Sequence, residues 1–221
     1  MQPSRTNQLL LLGHRGARGL KSIPENSLAA FDRALADGCD GFEFDVRLTA
    51  DGHAVICHDP RLKGIDIAKA PSEKLKDLAD LNQILSRYHD RAFLDIEIKV
   101  AGLEKSTVDL LRKFRPSRGF VVSSFLPFVL DALHGEDPSV PLGLICEKKS
   151  QLKWWTKLPV GYIIAHSALV NAAVIDQLKA AGKKVLVWTV NRPTQIQRFA
   201  ELGIDGIISD KTDLLCRTLR G

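Results

Sequence analysis

Between Gly41 and Leu48 large apolar residues alternate strictly with charged ones: Phe42, Phe44 and Val46 against Glu43, Asp45 and Arg47. Period-two alternation marks a β-strand with two unlike faces. The aromatic face needs a covering layer. The other face carries two carboxylates, which in a strand lie roughly 7 Å apart. Like charges that close in a partly dry site repel, so one takes up a proton unless a cation lies between them. A strand of a closed barrel, with helices on one side and the barrel mouth on the other, meets both demands. After the turn dipeptide Asp51-Gly52 the chain returns as a second apolar run ending in His58-Asp59, which brings an imidazole beside the carboxylates.

Strand and helix signals alternate along the rest of the chain. The pattern predicts strands at 9–12, 42–48 (with a short companion at 54–57), 93–99, 120–124, 142–146, 162–165, 185–190 and 206–209. It predicts helices at 26–36, 78–88, 103–114, 127–134, 151–155, 172–181, 193–202 and 212–219, with a weak helical stretch from Ser72. Asn26 or Ser27 is expected to cap the first helix and Pro193 to open the seventh. Eight strand–helix units in 221 residues define an α/β fold, a (β/α)8 TIM barrel, as a single domain over 1–221. A doubly wound open sheet would place bare glycines after its first strand; here His14 and Arg15 interrupt that loop.

In such a barrel, chemistry gathers where strands end. His14 and Arg15 follow the first strand, Glu43 and Asp45 lie on the second, His58 follows its companion, and Glu97 and Lys99 lie on the third. Three carboxylates are hard oxygen ligands, suited to Mg²⁺ or Ca²⁺ more than to zinc. Arg15 and Lys99 beside them supply the fork and point charge that a phosphate needs. Arg47 shares the Glu43 face, and the alternative is that it supplies a fixed countercharge in place of a metal.

His14-Arg15-Gly16, Pro24-Glu25-Asn26, Glu43-Phe44-Asp45, His58-Asp59, Ile96-Glu97-Ile98-Lys99, Ser123-Ser124-Phe125 and Trp188-Thr189-Val190-Asn191 follow one another in the order and context of the glycerophosphodiester phosphodiesterases, and the chain resembles that family from Leu10 to Asp210. The resemblance implies a metal-dependent phosphoric diester hydrolase of lipid and glycerol metabolism, which cleaves a small glycerophosphodiester to glycerol 3-phosphate and an alcohol. It implies Glu43, Asp45 and Glu97 as ligands of a divalent cation, Mg²⁺ or Ca²⁺, and His14 and His58 as the general acid–base pair. Arg15 and Lys99 are implied as phosphate contacts and Trp188 as a wall of the glycerol-side pocket. One departure stands out: Pro60 to Asp66 replaces the family's usual segment after His-Asp, so the small inserted lobe is expected to be reduced or absent. That favours, as a rival, a lysophospholipase D type enzyme with the same site. A non-catalytic barrel binding a phosphorylated ligand is the alternative from another class.

His53, His89 and His134 read as non-catalytic; His166 ends the sixth strand and is weighed as a pocket residue. Glu25 is not expected to be a ligand, Ser124 is read as a substrate contact or a backbone partner, and Asn191 and Asp210 read as helix caps. Trp154-Trp155 among lysines is expected to pack on the barrel, its alternative being transient contact with a membrane surface. No apolar run is long enough for stable membrane insertion. The net charge of +5 is spread along the chain, which argues against nucleic acid. Four scattered cysteines and the four-residue run at Leu9, too short for a signal peptide, lead to the expectation of a cytoplasmic enzyme.

Overall fold

Eleven strands and eight α-helices follow in chain order in the computed structural model, which describes residues 9–221; the first eight residues of the expected domain lie outside the described residues. The strands are β1 (Leu10–Gly13), β2 (Gly41–Leu48), β3 (Ala54–Ile56), β4 (Arg61–Leu62), β5 (Ile65–Asp66), β6 (Phe93–Ile98), β7 (Phe120–Ser124), β8 (Leu142–Cys146), β9 (Tyr162–His166), β10 (Lys184–Trp188) and β11 (Gly206–Ser209). The helices are α1 (Leu28–Ala36), α2 (Leu81–Tyr88), α3 (Glu104–Lys113), α4 (Pro127–Glu136), α5 (Lys149–Leu152), α6 (Ala172–Ala180), α7 (Pro193–Glu201) and α8 (Thr212–Arg220). Parallel pairing runs β1-β11-β10-β9-β8-β7-β6-β2 and returns to β1 through Leu12 beside Gly41 and Gly13 beside Phe42, so the sheet closes. The result is the expected (β/α)8 barrel.

Two apolar layers hold it. Inside the barrel, Leu12, Ile208, Leu186, Ile164, Ile145 and Val121 pack together from six successive strands, β1, β11, β10, β9, β8 and β7. Outside, between strands and helices, a larger cluster includes the aromatic face of β2: Phe42 stacks on Phe31 of α1 at 4.3 Å, and Tyr88 of α2 meets Phe42 edge-on at 5.0 Å. Burying these rings fixes β2 in phase, which turns Glu43 and Asp45 inward.

Ser27, not Asn26, caps α1, its hydroxyl accepting the Ala30 N–H. α2 starts at Leu81 because the Asp80 carboxylate caps it through the Gln83 N–H. The fifth helix is a short α-turn continued by a 3₁₀ turn at Lys153–Thr156. The lobe after the second barrel strand is reduced to the two-residue strands β4 and β5 and two 3₁₀ turns, packed on a small cluster of Val55, Cys57, Ile67, Ala70 and Leu75. The stretch from Ser72 is one of these turns, tied to the Asp51 carboxylate through the Ser72 N–H and hydroxyl. All four cysteines are free and buried, as small core residues.

Truncating Phe42 to Ala should cost about 3–5 kcal/mol of stability, read as a lower urea midpoint. A cost below about 1 kcal/mol would show that this face is not the packed one.

Candidate active site

The register of β2 on β6 sets Glu43 beside Asp95 and Asp45 beside Glu97. Four buried carboxylates therefore share one patch of the inner wall. Ligand oxygens of Glu43, Asp45 and Glu97 lie within 4.8 Å of one another. Two cations face them: Lys99 Nζ is 2.6 Å from Glu97 Oε1 and 3.2 Å from Asp45 Oδ1, and Arg15 Nε is 3.2 Å from Asp45 Oδ2. Arg15 is shared with Glu25, 2.7 Å from its Nη1. Four carboxylates against two cations leave negative charge uncompensated. Glu43 Oε1 is buried without a hydrogen-bond partner, a costly state for a carboxylate oxygen, and Asp45 Oδ1 and Glu97 Oε1 are buried with the single Lys99 ammonium shared between them. Hard donors, close spacing and unsatisfied oxygens fit a divalent cation.

The electrostatics agree. Burial, reinforced by Asp45 and Glu97, pushes the Glu43 carboxyl well above its usual range. Burial and then Asp45 push Glu97 up to about 8 against the pull of Lys99, and burial pushes Asp95 up to about 7 against the Ser123 hydrogen bond. Asp45 goes the other way: burial opposes its charge, but Lys99, Arg15 and the Asn26 amide outweigh burial and hold it below the carboxylate range. The patch thus holds protons near neutral pH when no added cation balances it.

The turn after β1 delivers the remaining groups. Arg15 is in the left-handed region (φ 50°), which aims its N–H at Glu43 Oε2, 2.9 Å away. Gly16 follows at φ 78°, so close to α1 that a Cβ would sit 2.6 Å from Ala30 carbonyl carbon. His14 is held through Nδ1 by Asp210 Oδ1 at 2.7 Å, and its Nε2 lies 3.9 Å from Glu43 Oε2. Burial works against the charge of Asp210, but His14, Asn191 and Arg18 outweigh it and keep the carboxyl below the usual range. His58 is held through Nδ1 by Asp59 at 2.7 Å, and its carbonyl accepts from Arg47 Nε, also at 2.7 Å. Burial pulls the His58 pKa down against the opposing influence of Asp59 and Asp45. Arg47 therefore ties down the His58 loop; the countercharges are Lys99 and Arg15.

One cavity of about 290 Å³ is lined by His14, Arg15, Glu43, His58, Glu97 and Lys99, with Asp45 buried beneath. All the candidate site residues thus converge, Trp188 included. Its indole Nε1 donates to the Ile164 carbonyl at 3.1 Å, and the ring is held edge-on between Phe125 and His166. His166 supports Trp188 and is not itself on the cavity wall; Ser124 donates to the Ile98 carbonyl and so serves backbone.

Four residues gain roles beyond the sequence reading. Asn26, also left-handed at φ 56°, donates from its amide to Asp45 Oδ2 at 2.8 Å. Asp95 lies on the cavity wall, bound to the Ser123 hydroxyl at 2.6 Å. Asp210 orients His14, and Asn191 in turn holds Asp210 at 2.6 Å. Asp95 carried a signal, since it shares the Glu97 face; the others depend on contacts between distant segments.

A closed barrel whose mouth joins paired imidazoles, clustered acids and phosphate-type cations defines a hydrolase of phosphoric esters. The family model for the "Glycerophosphoryl diester phosphodiesterase family" matches residues 14–84 and 73–214. The chain is 28% identical over 239 residues to a glycerophosphodiester phosphodiesterase of Caldanaerobacter subterraneus subsp. tengcongensis, covering 96% of this chain and 98% of the relative. Among solved structures, an Oleispira antarctica phosphodiesterase in complex with the product sn-glycerol-3-phosphate superposes with a TM-score of 0.84 at 26% identity, covering 96% of this chain and 97% of that one. A Thermotoga maritima glycerophosphodiester phosphodiesterase superposes with a TM-score of 0.80 at 26% identity, covering 95% and 97%. The chain belongs to the glycerophosphoryl diester phosphodiesterase family and is a phosphoric diester hydrolase, which removes the non-catalytic barrel as an alternative.

Carboxyls whose pKa is raised in the folded state bind more protons there than in the unfolded chain, so stability falls as pH rises through the gap. Glu43, Asp95 and Glu97 are such groups. In chelator, the urea midpoint should therefore fall between about pH 5 and pH 8, and excess divalent cation should flatten that slope. A midpoint that rises over this window in chelator would contradict the charge arrangement.

Proposed function

We propose that this barrel, as a single domain, hydrolyses small glycerophosphodiesters to glycerol 3-phosphate and an alcohol, with Mg²⁺ or Ca²⁺ on Glu43, Asp45 and Glu97 and with His14 and His58 as the general acid–base pair. The observation that carries this reading is the convergence of both histidines, the acidic trio and two phosphate-binding cations on one cavity. The product bound by the Oleispira relative supports the choice of substrate.

A bound divalent cation would neutralise charge as it builds on the phosphoryl oxygens. Arg15 and Lys99 bind the non-bridging oxygens and orient the diester for in-line displacement. Each imidazole has its Nδ1 on a carboxylate, Asp210 for His14 and Asp59 for His58, which leaves Nε2 for the substrate. One ring takes the proton of the attacking oxygen and the other returns a proton to the leaving alkoxide. Asp210, kept ionised, holds Nδ1 of His14 and fixes the plane of its ring. Trp188 and Phe125 keep water from the glycerol side.

The lysophospholipid reading drew on Trp154-Trp155 and the reduced lobe. Trp155 is packed against the core with Lys183 over its ring, at the start of β10 and so at the end of the barrel away from the mouth. Trp154 is about half exposed beside it, at 47%. Among the described residues no helix is long and apolar enough to cross a membrane. The soluble diester is the substrate this arrangement favours.

Hydrolysis of glycerophosphocholine should require Mg²⁺ or Ca²⁺ and stop in chelator. His14→Ala and His58→Ala should each lower kcat by about 10²–10⁴-fold. Asp210→Asn should lower kcat by about 10-fold or more while leaving cation affinity unchanged. Full turnover in chelator, or by either histidine variant, would overturn the mechanism.

A further inference from the structure

The cavity has two unlike walls. One, from His14 and Arg15 through Glu43 to Glu97 and Lys99, is charged; the other, from Phe125 through Ile164 to Trp188 and Ile208, is apolar. Glu147 is the single charged residue on that second wall. It follows the last residue of β8, and β8 is four strands from β1 in either direction round the barrel, so Glu147 stands across the mouth from His14 and Arg15. Its backbone is pinned: the Gln151 side-chain oxygen accepts the N–H groups of Glu147 and Lys148, at 2.9 and 2.8 Å. Its carboxylate has no hydrogen bond or ion pair with any described residue. An acid at the mouth whose backbone is fixed, whose side chain is open to solvent and which has no internal partner is a hydrogen-bond acceptor available to a ligand.

A diester whose phosphate lies against Arg15 and Lys99 must extend its glycerol carbons toward the apolar wall. Trp188 offers no acceptor there, because its indole N–H is spent on the Ile164 carbonyl and its face is apolar. Glycerol hydroxyls that leave water need acceptors, or their desolvation weakens binding. We propose that Glu147 is a specificity residue that accepts hydrogen bonds from the free hydroxyls of the substrate's glycerol unit, and so selects deacylated glycerophosphodiesters over lysophospholipids. This rests on the phosphodiesterase reading above and sharpens it. An acylated oxygen has no proton to give: it sets an acceptor against the carboxylate and strips it of water without replacement. Sites built to bind a hydroxyl discriminate strongly against analogues lacking one.

The test compares wild type, Glu147→Ala and Glu147→Gln with saturating Mg²⁺ in two measurements. The first is kcat/KM on glycerophosphocholine, glycerophosphoinositol and lysophosphatidylcholine; the second is calorimetric titration with glycerol 3-phosphate and with inorganic phosphate. Glu147→Ala should lose about 10–100-fold in kcat/KM on both deacylated diesters, mainly through KM, with lysophosphatidylcholine unchanged or improved. Its affinity for glycerol 3-phosphate should fall while that for inorganic phosphate stays within about 2-fold, and Glu147→Gln, which keeps an acceptor, should lie between. Equal losses for glycerol 3-phosphate and inorganic phosphate would mean a merely structural role. A loss shared by glycerophosphocholine and lysophosphatidylcholine, with glycerophosphoinositol spared, would mean that Glu147 reads the choline cation and would overturn the proposal. An unchanged variant beside an active wild type overturns the proposal alone; a wild type inactive on both deacylated diesters overturns it together with the substrate reading.

Discussion

Repulsion among four buried carboxylates is the constraint round which this molecule is arranged. Glu43 beside Asp95 and Asp45 beside Glu97, on adjacent strands, would drive a chain apart if all were ionised and unopposed. Lys99, Arg15 and the Asn26 amide favour the charge on Asp45, while burial and mutual repulsion raise the pKa values of Glu43, Asp95 and Glu97 and so favour proton uptake there. The divalent cation proposed here would displace that balance, because it offers more charge to the same oxygens than a proton shared among them. The proposed cofactor therefore follows from an electrostatic need that the fold itself creates.

The rest of the architecture holds these acids in place. The Phe31, Phe42 and Tyr88 cluster fixes the phase of β2, and with it the inward aim of Glu43 and Asp45. The left-handed residues Arg15 and Asn26 bend the β1–α1 connection until a backbone N–H reaches Glu43 and a side-chain amide reaches Asp45. Such conformations cost free energy and persist where surrounding contacts outweigh them. At the far end of the chain, Asp210 after β11 reaches back to His14 after β1, so barrel closure and the orientation of one imidazole are the same event.

Much of this was legible in the residues. Alternation over Gly41–Leu48 and again over Phe93–Ile98 announced both strand phase and the site, since period two leaves little freedom once one face is aromatic. Motifs at strand ends then located His14, His58 and Lys99 without knowledge of the pairing. What sequence did not reveal depends on which strands lie side by side. Asn26 and Asp210 look like helix caps in isolation, and only the closed ring brings them to Asp45 and His14. Arg47 has the right face but the wrong height, and bonds the His58 carbonyl in place of a carboxylate. Helix α5 starts two residues before the short helix expected at 151–155 and passes into a 3₁₀ turn at Lys153, because the Gln151 side chain accepts the Glu147 and Lys148 N–H groups ahead of it, a contact that composition alone left open.

Anomalous diffraction from crystals of the intact protein soaked in Mn²⁺ would test the central claim most directly. A single strong peak is expected within about 2.0–2.6 Å of oxygens from Glu43, Asp45 and Glu97, with Lys99 drawn off the shared oxygens. A peak placed elsewhere, with the trio still closed on Lys99 and Arg15, would mean that these acids form a structural ion-pair network and that the site is not a metal centre.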